Sequence, residues 1–193
     1  MNRIIIFVCI TSLFWLGCDD PSLNEPKRPN IVFLLADDMG YGDFEKIGGS
    51  TKTPNLNRLA EEGVFFDNFY AAGPNCSPSR TGLMTGKSPA KVGMYSYRPP
   101  QHPLHLPDQE VTLAELLKTK GYQTAHIGKW HLGALGEKLL FDHPQPQDHG
   151  FDYSLGTENN ADPSHLNPIN FVRNGKALGL VEGYSCQIVA QEC

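Results

Sequence analysis

The sequence predicts an α/β fold in which a mostly parallel central sheet is flanked by helices, and three observations carry that reading. Residues 30–36, Asn-Ile-Val-Phe-Leu-Leu-Ala, form a continuous apolar run that stops at Asp37-Asp38 and a glycine-containing stretch, as a strand buried on both faces does. Helical segments follow, each opened by a capping residue and closed by glycine. A second strand, 122–130, comes directly after the last of these helices, and strands alternating with helices mark parallel crossover units.

Taken in order, the acids at 37 and 38 emerge at the C-terminal end of the first strand, where open α/β sheets place their ligands. Thr53-Pro54, with Leu56, Leu59 and Ala60 before Gly63, supplies an N-cap, a proline at the first helical position, an apolar stripe and a stop. Residues 64–70 read as a short strand or extended segment. Ser77-Pro78 opens a second helix by the same cap-then-proline logic, with Leu83 and Met84 inward and Gly86 closing it. Cys76 would then stand just outside that helix, where free N–H groups and the dipole favour an anion. A third helix is marked by a Thr112/Glu115 capping box, a Val111/Leu116 staple and Gly121 as the stop. Residues 141–170, rich in Pro, His, Asp and Asn, read as a long surface loop region of the kind that shapes a substrate pocket. Residues 185–193 read as two turns of an amphipathic helix with no terminating residue, which predicts that the chain is truncated there.

The N-terminus predicts export. A short basic start at Arg3, an apolar run over 4–16 and Gly17 before Cys18 make a signal peptide over 1–17, too short to span a hydrocarbon core of about 30 Å comfortably. Gly17-Cys18 resembles the end of a bacterial lipoprotein signal, which would lipidate Cys18 and tether the chain to a membrane. Trp15 is not the small aliphatic residue usual before such a cysteine, so ordinary cleavage is the other reading. Residues 18–28 form a polar, proline-punctuated linker, and 29–193 the folded part. With 16 Lys and Arg against 21 Asp and Glu, net charge −5, and no basic stripe, nucleic acid is excluded as a partner. The cysteines beyond the signal, Cys76, Cys186 and Cys193, are odd in number and lack zinc spacing. An unpaired Cys76 in an exported protein asks for a specific explanation.

Three stretches supply one. Cys76-Ser77-Pro78-Ser79-Arg80 and the residues to Gly86 resemble the C-x-P-S-R signature of the type I, formylglycine-dependent sulfatases, members of the alkaline-phosphatase-like superfamily. Residues 121–131, ending Gly128-Lys129-Trp130-His131, resemble that family's second signature, and 29–38 its first metal-binding strand. The resemblance implies an alkaline-phosphatase-like sandwich, incomplete at the C-terminus. It also implies that a maturation enzyme oxidises Cys76 to formylglycine, whose hydrated aldehyde is the nucleophile. Such a group suits ester cleavage, because a sulfated hydrate can expel sulfate and regenerate the aldehyde, whereas a sulfated serine or cysteine would persist.

By the same resemblance, Asp37, Asp38 and the modified Cys76 would ligate a divalent cation, Ca2+ or else Mg2+, through hard oxygen donors. Arg80 would steady the formylglycine, Lys129 would bind sulfate oxygens and His131 would hydrogen-bond the hydrate. Pro78 and Ser79 would be structural and part of the maturation signal, and Trp130 would pack. Asn159, Asn160 and His165 could line a sugar pocket or simply form a polar loop. Family members are much longer and carry further metal ligands, another Lys and another His in a later segment. The expectation is therefore an arylsulfatase-like hydrolase of sulfate monoesters, on a carbohydrate or other small molecule, present here as an inactive N-terminal part. A phosphate or phosphonate ester hydrolase of the same superfamily and a catalytically dead secreted binding module are the alternatives.

Overall fold

The computed structural model describes residues 28–136 and 140–193; the expected signal at 1–17, the lipidation site Cys18 and nearly all of the 18–28 linker lie outside the described residues. The chain divides into two units, 1–36 and 37–193. In the first, residues 28–36 form neither helix nor strand, and Val32 and Leu34 are 81% and 74% exposed. The expected central strand at 30–36 is thus not formed. An apolar run buried on both faces needs a strand on either side to take up its backbone groups, and the sheet of the described residues does not include it.

The second unit is mixed α/β, the class the sequence implies. Helices α1 (Pro54–Glu62), α2 (Cys76–Thr85), the short α3 (Pro89–Val92) and α4 (Leu113–Thr119) precede strand β1 (Ala125–Lys129); β2 (Tyr153–Thr157), the two-residue strands β3 (Val172–Arg173) and β4 (Lys176–Ala177), and α5 (Ser185–Glu192) follow. The sheet runs β1-β2-β3-β4. β1 and β2 are parallel, with Ala125 opposite Tyr153 and Lys129 opposite Thr157, whereas β2–β3 and β3–β4 are antiparallel.

Local sequence explains most boundaries. Proline begins α1 and Gly63 ends it, as expected. The third expected helix is α4: the Thr112 hydroxyl accepts from the Glu115 N–H and the Glu115 carboxylate accepts from the Thr112 N–H. At its other end Gly121, at φ 75°, lets the Gly121 N–H reach the Lys118 carbonyl and the Tyr122 N–H reach the Leu117 carbonyl. That double bond pattern satisfies the last carbonyls of the helix and needs the left-handed backbone glycine adopts without strain. Thr112 also donates its hydroxyl to the His149 carbonyl at 2.7 Å, which docks α4 on the 3-10 turn Pro146–His149.

Two further expectations change. α2 begins at Cys76 with Asn75 as its N-cap, so Cys76 is the first helical residue rather than lying outside the helix. Pro78 then sits at the third position, where it costs no hydrogen bond because the first helical N–H groups have no intrahelical partner; the Ser79 N–H already bonds the Asn75 carbonyl at 2.9 Å. Residues 141–170 are not only loop, since they contain β2, whose last four residues are buried. Tyr-Ser-Leu-Gly-Thr lacks the aliphatic run of an interior strand, and the reason is a close approach: a Cβ on Gly156 would collide with the carbonyl oxygen of Gly128 across the ladder. Behind β1, Trp130, Leu106 and Leu132 form a buried cluster joined by Met84, Leu135 and Phe151, so Trp130 packs, as expected. Burial of this kind contributes about 25 cal/mol per Å2 of apolar surface.

Candidate active site

The site assembles where the N-terminal half of α2 meets the C-terminal end of β1. Cys76 and Arg80 are one turn apart, hence on one face of α2. Lys129 is the last residue of β1, with Trp130 and His131 continuing the pairing beyond it through the carbonyls of Thr157 and Glu158. Arg80 ties the two elements together by donating from Nη1 to the Lys129 carbonyl at 2.6 Å.

Asp37 lies between the two cations. Arg80 Nη2 donates to Oδ1 at 2.9 Å and Lys129 Nζ to Oδ2 at 2.9 Å, so each carboxylate oxygen holds one charge. The Arg80 and Lys129 side chains are only 10% and 11% exposed, against 35% for Asp37, which makes this a sheltered pair rather than a solvated one. Burial alone would raise the Asp37 pKa, but the hydrogen bonds and charges of Lys129 and Arg80 outweigh it and hold the carboxyl below its ordinary value. Asp38 is exposed, with its backbone at φ 56°, a left-handed conformation that aspartate tolerates better than most residues.

His131 is fully buried and also left-handed, at φ 55°. Its Nε2 lies 2.8 Å from the Arg98 carbonyl, and a carbonyl only accepts, so Nε2 carries the proton. Nδ1 is buried without a partner. Burial pushes the imidazole pKa down to about 4, assisted by the charges of Lys129, Arg98 and Arg80 against the opposing Arg98 carbonyl. The ring is therefore neutral near pH 7 and presents a free lone pair.

Two residues absent from the expected set are central to the geometry. Arg98 is wholly buried and pairs with Glu158 at 2.6 Å, and its N–H contacts the Ser77 hydroxyl at 3.3 Å. Asn160 offers its amide oxygen to Lys129 Nζ at 3.4 Å. His165 instead bonds the Ser185 hydroxyl. Neither Arg98 nor Glu158 belongs to a recognisable motif, so local sequence held no signal for them. The structure thus brings together Asp37, Arg80 and Lys129 by direct contact, and links Cys76 to His131 through Ser77 and Arg98.

Cys76 is half-buried and Cys186 and Cys193 are exposed; all three are free thiols. Arg80 Nε, one turn along the helix that begins at Cys76, and His131 Nδ1 are buried polar atoms lacking partners, the kind of atoms an added oxygen-bearing group can satisfy. A cation fits less well: among the described residues no group of three or more His, Cys, Asp or Glu could hold an ion, and both Asp37 oxygens are engaged. Two carboxylates fall short of the six or more oxygens calcium takes.

A helix N-terminus, a sheltered Arg/Lys pair and a buried imidazole at the end of a parallel strand make up the candidate site, and their chemistry suits an anionic group. The family profile described as Sulfatase matches residues 29–192, and the chain belongs to the sulfatase family. It is 46% identical over 145 residues to human N-acetylgalactosamine-6-sulfatase, covering 69% of this chain and 26% of that protein. It is similar in structure to the crystal structure of Ps i-CgsB, with TM-score 0.72, 30% identity and coverage of 86% of this chain and 40% of the other. A structure of a protein in complex with its substrate D-glucosamine-2-N,6-O-disulfate gives TM-score 0.70 at 33% identity, covering 86% of this chain and 30% of that one. The chain thus spans about a quarter of the length of the curated relatives it matches.

Proposed function

We propose that this chain carries the nucleophile-bearing part of an exported sulfuric-ester hydrolase acting on a sulfated carbohydrate. The observation that carries the reading is the Arg80–Asp37–Lys129 cluster beside the first turn of the helix that starts at Cys76. A maturation enzyme would convert Cys76 to formylglycine, and that group supplies a nucleophile able to regenerate itself. Arg80 and Lys129 stabilise negative charge on a sulfate because both are partly withdrawn from water and Arg80 is fixed before substrate arrives. Arg80, on the helix that begins at position 76, has its guanidinium held by the Lys129 carbonyl and Asp37. Lys129 can trade its Asp37 or Asn160 contact for a substrate oxygen, since its ammonium is a flexible point charge. His131, neutral and with Nδ1 bare, accepts a hydrogen bond. Asp37 and Asp38 are the donors this chain would contribute to a divalent cation; they do not complete a shell.

Carbohydrate as the substrate class is supported by the relatives, one named for N-acetylgalactosamine-6-sulfate chemistry and one solved with a disulfated glucosamine. The test is sulfate release. A protein of the relatives' length containing this chain, matured at Cys76, should hydrolyse sulfated amino sugars and lose that activity with Cys76→Ala. Preference for phosphate or phosphonate esters over sulfate esters would overturn the reading in favour of the superfamily's other chemistry.

A further inference from the structure

We propose that the buried Arg98–Glu158 pair is the positioning device for His131, fixing its imidazole as the Nε2–H tautomer with Nδ1 as the acceptor. The inference rests on His131 serving the site as proposed above, but its geometry stands independently. Three contacts close a ring. The Arg98 guanidinium donates to the Glu158 carboxylate at 2.6 Å; the Glu158 carbonyl accepts from the His131 N–H at 2.8 Å; and His131 Nε2 meets the Arg98 carbonyl at 2.8 Å. Covalent backbone within Arg98, Glu158 and His131 completes the circuit, so the same two residues hold His131 by its main chain and by its ring.

Each nitrogen of the Arg98 guanidinium is engaged. Nε donates to the Leu104 carbonyl at 2.6 Å and Nη2 to the His102 carbonyl at 2.9 Å, which fixes the segment whose carbonyl addresses the imidazole. Glu158 also accepts from the Gln101 N–H at 2.9 Å. On the opposite side the Arg98 N–H contacts the buried Ser77 hydroxyl, one residue from Cys76. Arg98 therefore sets the spacing between the start of α2 and His131 as well as the ring's orientation. Tyr97 meets the imidazole edge-on at 5.1 Å between centroids, which restricts ring flipping. A buried ion pair is poor value as a source of stability alone, and this one, placed around a left-handed histidine, holds a side chain in one orientation and one tautomer.

Both nitrogens of His131 can be read by nitrogen-15 NMR of the full chain labelled at histidine, with His131→Gln for assignment. Wild type is expected to show one tautomer, protonated at Nε2, with that proton exchanging slowly with water. Glu158→Gln, which keeps shape and removes the charge, and Arg98→Lys, which keeps charge and removes the fork, should each speed exchange by at least about tenfold, the equivalent of one lost hydrogen bond, while the amide spectrum stays folded. Should neither variant fold, the wild-type proton decides: slow exchange supports the device, and exchange at the rate of an exposed imidazole overturns it. An Nδ1–H tautomer in wild type, or unchanged exchange in a folded Glu158→Gln, would also overturn it. Because the readout needs neither modified Cys76 nor turnover, failure of the sulfatase reading and failure of this inference are distinguishable.

Discussion

Replacing Asp37 by asparagine removes the charge between two cations that the fold shelters. Breaking a buried ion pair by deleting one partner costs about 3–5 kcal/mol, because a charge is left uncompensated. Three features reduce that here: Asp37 is 35% exposed, Arg80 keeps the Lys129 carbonyl and Lys129 keeps the Asn160 amide. The expected loss is about 2 kcal/mol. With a urea m-value of about 2 kcal/mol/M, the unfolding midpoint of the full chain should fall by about 1 M. Asp37→Asn combined with Lys129→Met should recover part of the loss, since the cycle isolates the pairwise coupling. The pH dependence has a definite sign. The folded-state pKa of Asp37 is depressed, so its contribution is present above the unfolded aspartate value and is lost as pH falls through the folded one. Wild type and Asp37→Asn should therefore differ at pH 7 and converge in acid. Equal midpoints at pH 7, or a difference independent of pH, would refute the account of this cluster.

Other positions give sharper or opposite outcomes. His131, neutral when folded with a pKa of about 4 against about 6.5 unfolded, should destabilise the fold in acid, by up to about 3 kcal/mol as pH falls from about 6.5 through about 4, with no such cost at neutral pH; His131→Gln should flatten that limb of the stability profile. Gly156→Ala should prevent β1–β2 pairing through the collision with Gly128, seen as loss of soluble folded protein, whereas Gly175→Ala, with open space at its Cβ but a backbone φ of 82°, should cost about 1–2 kcal/mol. Thr112→Ala removes both a helix cap and the tie to His149 and should cost about 1–2 kcal/mol by urea titration. Residues 1–193 alone, matured at Cys76, should release no sulfate from an activated aryl sulfate above a Cys76→Ala control, because they span about a quarter of the relatives' length and Asp37 and Asp38 do not complete a cation shell.

What the sequence disclosed was local. Caps, prolines and stop glycines placed α1 and α4, since each boundary is decided by side chains within four residues of it, and the amphipathic pattern alone placed α5. The Cys76–Arg80 and Lys129–His131 pairs were legible because short motifs carry them. Arg98 and Glu158 were not, because they act on residues tens of positions away and neither type is unusual in a loop. β2 was missed for a related reason: Gly156 is demanded by a backbone from another strand, and glycine in a polar stretch reads as a turn. Residues 30–36 erred in the opposite direction, for their apolar content specifies a buried strand only when neighbouring strands flank it.

The central claim is that Cys76 is the site's modified nucleophile, and the mass of its peptide tests this most directly. After expression with a formylglycine-generating enzyme, the peptide spanning Cys76 should lose one sulfur and two hydrogens and gain one oxygen, and should then react with a hydrazine probe. An intact thiol at Cys76 in the native host, with the maturation enzyme active on a control substrate, would contradict the account.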